Sequence, residues 1–318
     1  MKYYLGIDLG GTNIAAGVVN ENYEIIAQCS IKTNGSRPAE EVVDDMAQVA
    51  RDTAAKAGIT LDEVEWVGIG APGTANKATG VIEYSNNIGW YDVPLVQMME
   101  DRLKKKVYIE NDANAAAYGE YVAGSAKDAE SFIMVTLGTG VGGGIVINNE
   151  IYSGSNYAGA ELGHSVIVVD GRPCTCERKG CLEAYASATG LIKTTREHME
   201  KNKDSIMWEM VGGDLSKISG RTSFDAMRKG DAAGKAVVDE YIKYLACGIT
   251  NIINTFQPDL LAMGGGISHE GDYLMKPLKE IVAREVYSRN SAKNTEIVAA
   301  SLGNAAGIIG AALLGMAK

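Results

Sequence analysis

The stretch Gly6-Ile7-Asp8-Leu9-Gly10-Gly11-Thr12-Asn13 joins one strand to another through a two-glycine turn. Tyr3–Asp8 before the turn and Ile14–Val19 after it read as strands, being rich in β-branched and aromatic residues. After the turn Asn20-Glu21-Asn22, Glu24–Ile31 reads as a third strand. The same pattern returns later in the chain. Phe132–Leu137 is strand-like, Gly138–Gly144 reads as a glycine turn, and Ile145–Asn148 is again strand-like. Strand, glycine turn, strand at two places points to an internal duplication.

Outward from these hairpins, Arg37-Pro38 opens a helix to about Ala57, closed by Gly58. Trp66–Gly70 reads as a buried strand ending in Ala71-Pro72-Gly73. Val93–Lys105 reads as a helix with Pro94 in its first turn. A short strand is expected at Val107–Ile109 and a helix at Asn111–Val122. Further helices are expected at about Ser187–Asn202, Ser223–Lys229, Asp231–Phe256, Tyr273–Arg284 and Ala305–Ala317, with strands at Leu260–Met263 and Glu296–Ala299. Gly163–Glu183 carries no period and reads as an irregular loop. The alternation is that of a mixed α/β chain.

The chain has 318 residues, 46% hydrophobic and 22% charged, which excludes wholesale disorder. Lys plus Arg is 30 and Asp plus Glu is 40, a formal charge of −10. That sign argues against sequence-independent binding to nucleic acid or anionic lipid. The most apolar run, Ala305–Ala317, is shorter than the roughly 18 residues of a membrane span. Strand-like residues follow Lys2 at once, with no cleavage site, so the expected compartment is the cytoplasm. Glycine is the outlier, 38 residues against a usual share of about 7%. The glycines gather at the ends of apolar runs, where turns and close backbone approaches belong.

Gly138-Thr139-Gly140-Val141-Gly142-Gly143 satisfies G-x-G-x-x-G, yet it leads into the β-type run Gly144-Ile145-Val146-Ile147. A dinucleotide fingerprint must open a helix, so that assignment fails, and no P-loop motif occurs. One glycine hairpin alone reads as a permissive turn. Two, each with a threonine, read as a phosphate clamp made by Gly10, Gly11, Thr12 and Asn13 and by Gly138, Thr139 and Gly140. Asp8 is suited to Mg²⁺ or its water shell. Gly265 and Gly266, within Gly264–Gly266, either let an adenosine lie against the backbone or form an ordinary strand-to-helix turn.

Cys174, Cys176 and Cys181 fall within eight positions, ten residues after His164. One imidazole and three thiolates make a tetrahedral donor set for structural Zn²⁺. A disulfide leaves an odd cysteine over and suits a cytosolic chain poorly. Buried free thiols suit the loop composition around them no better. Cys29 and Cys247 lie in apolar runs and read as core.

Glu110-Asn111-Asp112 sits where a strand meets a helix. Either Asn111 or Asp112 suits an N-cap. Asp112 also suits the general base that takes a proton from an attacking hydroxyl in phosphoryl transfer. Glu161 and Glu183 bracket the cysteine loop; each reads either as a solvated surface residue or, together with His164, as a source of acceptors and donors for adjacent sugar hydroxyls.

These residues together resemble the ROK family of sugar kinases, and within it the bacterial glucokinases. The carriers are Gly6–Thr12, Gly70–Gly73, Glu110–Asn114, Leu137–Gly144, Glu161-Leu162-Gly163-His164 and Cys174–Glu183, spanning nearly the whole chain. The resemblance implies an actin-like ATPase (ribonuclease H-like) α/β fold, two domains closing over a central cleft. It implies a smaller domain over 1–110 plus 305–318 and a larger one over 111–304 carrying the zinc loop. It implies ATP with Mg²⁺, transfer to the 6-hydroxyl of a hexose, Asp112 as base, and a homodimer. Gly73, Asn87, Asn111, Asp112, Glu161, His164 and Glu183 fall on the sugar-contacting positions. Glucose is the first-choice substrate, with N-acetylmannosamine, N-acetylglucosamine, fructose or allose as alternatives.

Two positions depart from the family pattern. Many relatives carry Lys or Thr at Asn13, and often Gly at Glu177. Two other classes stay in view. A sugar-sensing repressor needs a DNA-binding module ahead of Tyr3, and a filament-forming ATP binder needs neither Asp112 nor the zinc loop.

Overall fold

The computed structural model describes residues 1–317. Its contacts divide into two compact units. One comprises Met1–Ile133, Gly144–Ala160 and the chain from Ala300 onward; the other comprises Met134–Gly143 and Glu161–Ala299.

The first unit holds β1 (Tyr3–Leu9), β2 (Asn13–Asn20), β3 (Ile25–Lys32), β4 (Val64–Ala71), β5 (Thr74–Asn76), β6 (Val81–Ser85), β7 (Trp90–Val93) and β8 (Val107–Asn111). Its main sheet runs β3-β2-β1-β4-β8. The first three strands form the antiparallel meander that the turn residues predict. β1, β4 and β8 are parallel, and Asp8 pairs with Gly70, which pairs with Glu110. The carboxyl ends of three strands thus finish in one row, where open α/β sheets place their ligands.

Helix α1 (Ala39–Lys56) buries Val42, Val43, Met46, Ala47, Val49 and Ala50, a helical-period stripe that joins Leu5, Ile7 and Ile69 in one core cluster. The C-terminal helix, Ala306–Leu313, packs against β1, β4 and α3 (Asp112–Ala123). A Cβ at Gly6 would overlap the Ile308 carbonyl, and one at Gly310 the Ala115 carbonyl. The glycine excess is in part the condition for this helix to lie flush on sheet and helix.

Three expectations need correction. Val93–Lys105 is not one helix: Trp90–Val93 is strand β7, and α2 spans Leu95–Leu103 after Pro94. A residue before proline is pushed out of the helical region, and Val93 pairs with Ile82 instead. The three-stranded sheet β5-β6-β7 itself was not foreseen, its strands being three to five residues long. The second glycine turn ends at Gly140, because β9 (Ser131–Leu137) is followed by β10 (Val141–Ile147). Gly144 lies inside that strand, so close to Ala117 that a Cβ there would overlap its methyl group.

The first compact unit runs on through α3 to Ile133. α3 groups with the first unit because the C-terminal helix packs along it.

A second five-stranded sheet runs β11-β10-β9-β12-β13, with β11 at Glu150–Ile151, β12 at Leu260–Gly264 and β13 at Glu296–Ala299. The second unit carries α4 (Glu183–Ala186), α5 (Ala188–Lys201), α6 (Met207–Met210), α7 (Thr222–Arg228), α8 (Ala232–Phe256) and α9 (Asp272–Glu285). Ser187 and Asp231 cap α5 and α8 with side-chain oxygens, as the sequence boundaries predict. Among the described residues no helix is long and apolar enough to cross a membrane.

Candidate active site and metal centre

In the first unit the sequence-singled residues converge on the ends of β1, β4 and β8. Gly10 N–H donates to Asn13 O at 2.9 Å and closes the first hairpin. Thr33 holds it from β3's end, its Oγ1 donating to Gly10 O at 2.6 Å and its N–H to Thr12 O at 3.0 Å. Gly11, Thr12 and Asn13 remain exposed at the tip. Asn87 lies against Gly11, and a Cβ there would stand 3.8 Å from the Asn87 Cβ.

Asn111 caps α3. Its Oδ1 accepts from Ala113 N–H at 2.9 Å and Asn114 N–H at 3.2 Å, while its Nδ2 donates to Gly73 O at 3.1 Å. The cap is therefore made one residue ahead of Asp112, which is the first residue of the helix itself. Gly73 has φ +99°, a region few side chains enter, and its close packing on Ser85 leaves no room for a Cβ.

Burial pushes the Asp112 carboxyl above the usual carboxylate range, against the opposing pull of the Ala113 N–H. Burial, and then the charge of Asp112, push Asp8 up to about 6. Two mutually repelling carboxylates at one sheet edge suit a divalent cation or a proton-accepting role.

In the second unit Gly138 N–H donates to Gly140 O at 3.0 Å, closing the second hairpin. Ala188 N–H donates to Gly138 O at 2.8 Å, and Thr189 Oγ1 to Thr139 O at 2.9 Å. Gly265, at φ +82°, packs against the Leu137 backbone, so the third glycine run sits beside this hairpin. Glu183 joins hairpin to cysteine loop. Its Oε2 accepts from Val141 N–H at 3.0 Å and its Oε1 from Thr175 Oγ1 at 3.0 Å.

His164 Nδ1 lies 3.6 Å from Cys174 Sγ, and Cys176 Sγ lies 3.7 Å from Cys181 Sγ. All four ligand atoms fall within 4.8 Å of one another. A tetrahedron with Zn–S of about 2.3 Å and Zn–N of about 2.05 Å has edges of about 3.8 Å between sulfurs and about 3.6 Å between nitrogen and sulfur. The donor set fits Zn²⁺ in chemistry, two of its separations match those edges, and the His164 Nε2 is left for a second partner.

The loop's backbone turns tightly. Cys174 N–H donates to Arg178 O at 2.9 Å and Gly180 N–H to Arg172 O at 2.8 Å. Glu177 takes φ +67°, the left-handed conformation that glycine adopts freely, so the departure at this position keeps the turn at a cost in strain. Arg172 ties the loop to α5, its guanidinium donating to Thr194 Oγ1 at 2.8 Å and Glu197 Oε2 at 2.7 Å. Glu161 stands at the entry of the turn carrying His164, whose N–H donates to Glu161 O at 3.1 Å.

Sequence reasoning missed Glu110 as a functional candidate, along with Lys77 and Ser153. Its signal was a carboxylate ending a buried strand, which nothing apolar explains.

The ROK family profile matches residues 4–318, and the chain belongs to that family. It is 36% identical over 310 residues to a glucokinase of Thermotoga maritima, covering 97% of this chain and 95% of that one. Its fold superposes on the crystal structure of a ROK family glucokinase from Streptomyces griseus in complex with glucose and AMPPNP. That comparison has a TM-score of 0.83 and 33% identity, covering 99% of both chains. It is also 28% identical to a xylose repressor of Bacillus subtilis, over 97% of this chain and 75% of the repressor.

Proposed function

We propose that the chain is an ATP-dependent sugar kinase, and specifically a glucokinase that converts glucose and ATP to glucose 6-phosphate and ADP. The observation that carries the reading is Asp112. It is a partly buried carboxylate with a raised pKa, held at a helix start whose cap is made by its neighbour. The likeness to curated glucokinases over nearly the full length supports the choice of sugar.

Asp112 accepts the proton of the sugar 6-hydroxyl as that oxygen attacks the γ-phosphorus. Its burial makes it a stronger base than a solvated aspartate. On the first unit Gly73, Asn87, Asn111 and Asp112 offer partners to sugar hydroxyls, and on the second unit Glu161, His164 and Glu183 do so. Gly10, Gly11, Thr12 and Asn13 and, separately, Gly138, Thr139 and Gly140 offer backbone and hydroxyl donors to the phosphates. Gly265 and Gly266 carry the backbone offered to the adenosine, with open space where a Cβ of Gly266 would stand while that of Gly265 is filled by Leu137. Asp8 would hold the Mg²⁺ that arrives with ATP, and that ion would spread the triphosphate charge. Zn²⁺ on His164, Cys174, Cys176 and Cys181 fixes the imidazole's orientation when bound. The protein works in the cytoplasm as a homodimer.

ADP release from Mg-ATP, measured with a panel of unmodified hexoses and their N-acetyl derivatives at equal concentration, tests the reading. Preference for glucose supports it, and preference for another sugar keeps the chemistry and replaces the substrate. No turnover with any sugar, in protein holding one zinc per chain, overturns it in favour of the sugar-sensing role that the repressor likeness suggests.

A further inference from the structure

We infer that Glu110 is the positioning residue of the catalytic turn, holding Asn111 and Asp112 in register through hydrogen bonds to both of its carboxylate oxygens. This rests on the kinase reading for its activity readout only. Glu110 is 1% exposed at the end of β8, immediately before Asn111 and Asp112. Its Oε1 accepts from Asn111 N–H at 2.9 Å and from Asn114 Nδ2 at 3.1 Å. Its Oε2 accepts from Ser153 Oγ at 2.9 Å and faces Lys77 Nζ at 3.8 Å.

The two oxygens therefore do different work. Oε1 grips both flanks of Asp112, the residue before it and the one two positions after it. Oε2 anchors the carboxylate to Ser153, 4% exposed in the segment after β11, and to the lysine that follows β5. A buried carboxylate is costly to keep unless its acceptor sites are filled, and here three hydrogen bonds and an ion pair fill them. An apolar residue would pack the same strand end at less cost. What the carboxylate adds is direction: it fixes the peptide of Asn111, and Asn111 in turn fixes the helix start and Gly73. A displacement of about 1 Å at a reacting group costs on the order of 10² in rate.

The atoms separate two substitutions. In Glu110→Ala both grips vanish. In Glu110→Gln the remaining carbonyl still accepts from Asn111 and Asn114, and the new NH₂ donates to Ser153 Oγ. Only the ion pair with Lys77 is lost. Glu110→Ala is expected to lower kcat by about 10–100-fold with KM for ATP unchanged, at temperatures where the variant is folded. Glu110→Gln should stay within about threefold of the parent, and Ser153→Ala should fall between them. In parallel, amide hydrogen exchange at Asn111–Asn114 should accelerate in Glu110→Ala and not in Glu110→Gln.

Full kcat in folded Glu110→Ala overturns the inference. So does an equal loss in Glu110→Gln, since its hydrogen bonds persist. If Glu110→Ala does not fold, Ser153→Ala and Glu110→Gln decide: parent-like exchange at Asn111–Asn114 in Ser153→Ala overturns the anchoring. If the parent protein turns over no sugar, the kinase reading falls. The exchange data then judge the positioning role alone.

Discussion

The turn at Glu110–Asn114 and the loop from His164 to Glu183 both present polar side chains from irregular backbone, yet they are held by opposite means. The turn is pinned by the protein's own hydrogen bonds, from a buried carboxylate below and an asparagine cap above. The loop has a few backbone bonds, an arginine strut to α5, and four donor atoms gathered within 4.8 Å of one another. The difference teaches that the turn is preorganised by a buried hydrogen-bond network, whereas the loop gathers four donors that an ion would tie together. The same contrast separates the glycine hairpins. The first leans on Thr33 of its own unit's sheet, and the second leans on Glu183 beside the metal loop.

The largest expected effect comes from the turn. Asp112→Asn keeps the shape and removes the base, so kcat should fall by about 10²–10⁴. Because the native carboxyl is penalised by burial, the melting temperature should hold or rise. Steady-state kinetics and calorimetry on one preparation check both. A kcat loss below tenfold with unchanged KM removes the general-base assignment.

Next comes the loop. Stripping zinc with a chelator should lower kcat/KM for the sugar by at least about tenfold, the order seen when a ligand sphere is disturbed. It should expose three further thiols, Cys174, Cys176 and Cys181, to alkylation. Mass spectrometry of the labelled peptides and metal analysis test this. Unchanged labelling after chelation would mean that the loop is self-supporting, and the contrast with the turn would collapse.

The third effect is the pH dependence. With Asp8 at about 6 and Asp112 also raised, kcat/KM should fall as pH drops below about 6, with apparent values belonging to the pair. In the free protein the sign for stability is opposite to that of a paired carboxylate. A carboxyl raised from 3.8 to about 6 contributes stability that is complete below pH 3.8 and is lost as pH rises through 6. Asp8→Asn should therefore raise stability at pH 7.5 by up to about 3 kcal/mol while impairing activity. Denaturant melts at pH 5 and 7.5 measure it. A variant less stable than the parent at pH 7.5 contradicts the assigned burial cost.

The smallest effect sharpens the loop side. Glu177→Gly relieves the left-handed strain and should stabilise the zinc-bound loop by about 1 kcal/mol, read as slower zinc loss to a competing chelator. Faster loss would show that the Glu177 side chain contributes more than its backbone costs.

Much of this was legible in the sequence. The β1–β3 meander, α1, the helix caps at Ser187 and Asp231, and the His164–Cys181 donor set follow from local periods and spacings, which neighbouring residues alone enforce. The small sheet β5-β6-β7 was not legible, because strands of three to five residues carry too little period to be told from loop. The length of the second glycine turn was misread for a related reason. Glycine marks a turn and a close packing contact alike, and only the contact of Gly144 with α3 decides for the strand.

The sequence by itself determined the chemistry available: two glycine hairpins, an aspartate at a strand-to-helix junction, and one histidine with three cysteines able to hold a metal ion. Residue type and short spacing suffice for that, since each is a property of a few consecutive residues. Only the tertiary structure decided which groups act on one another. It set Asp8 in a row with Gly70 and Glu110, raised its pKa by burial and then by the charge of Asp112, and turned Glu110 from a strand residue into the anchor beneath Asn111. Those properties depend on burial and on partners tens of residues away, such as Ser153, and no local pattern encodes them.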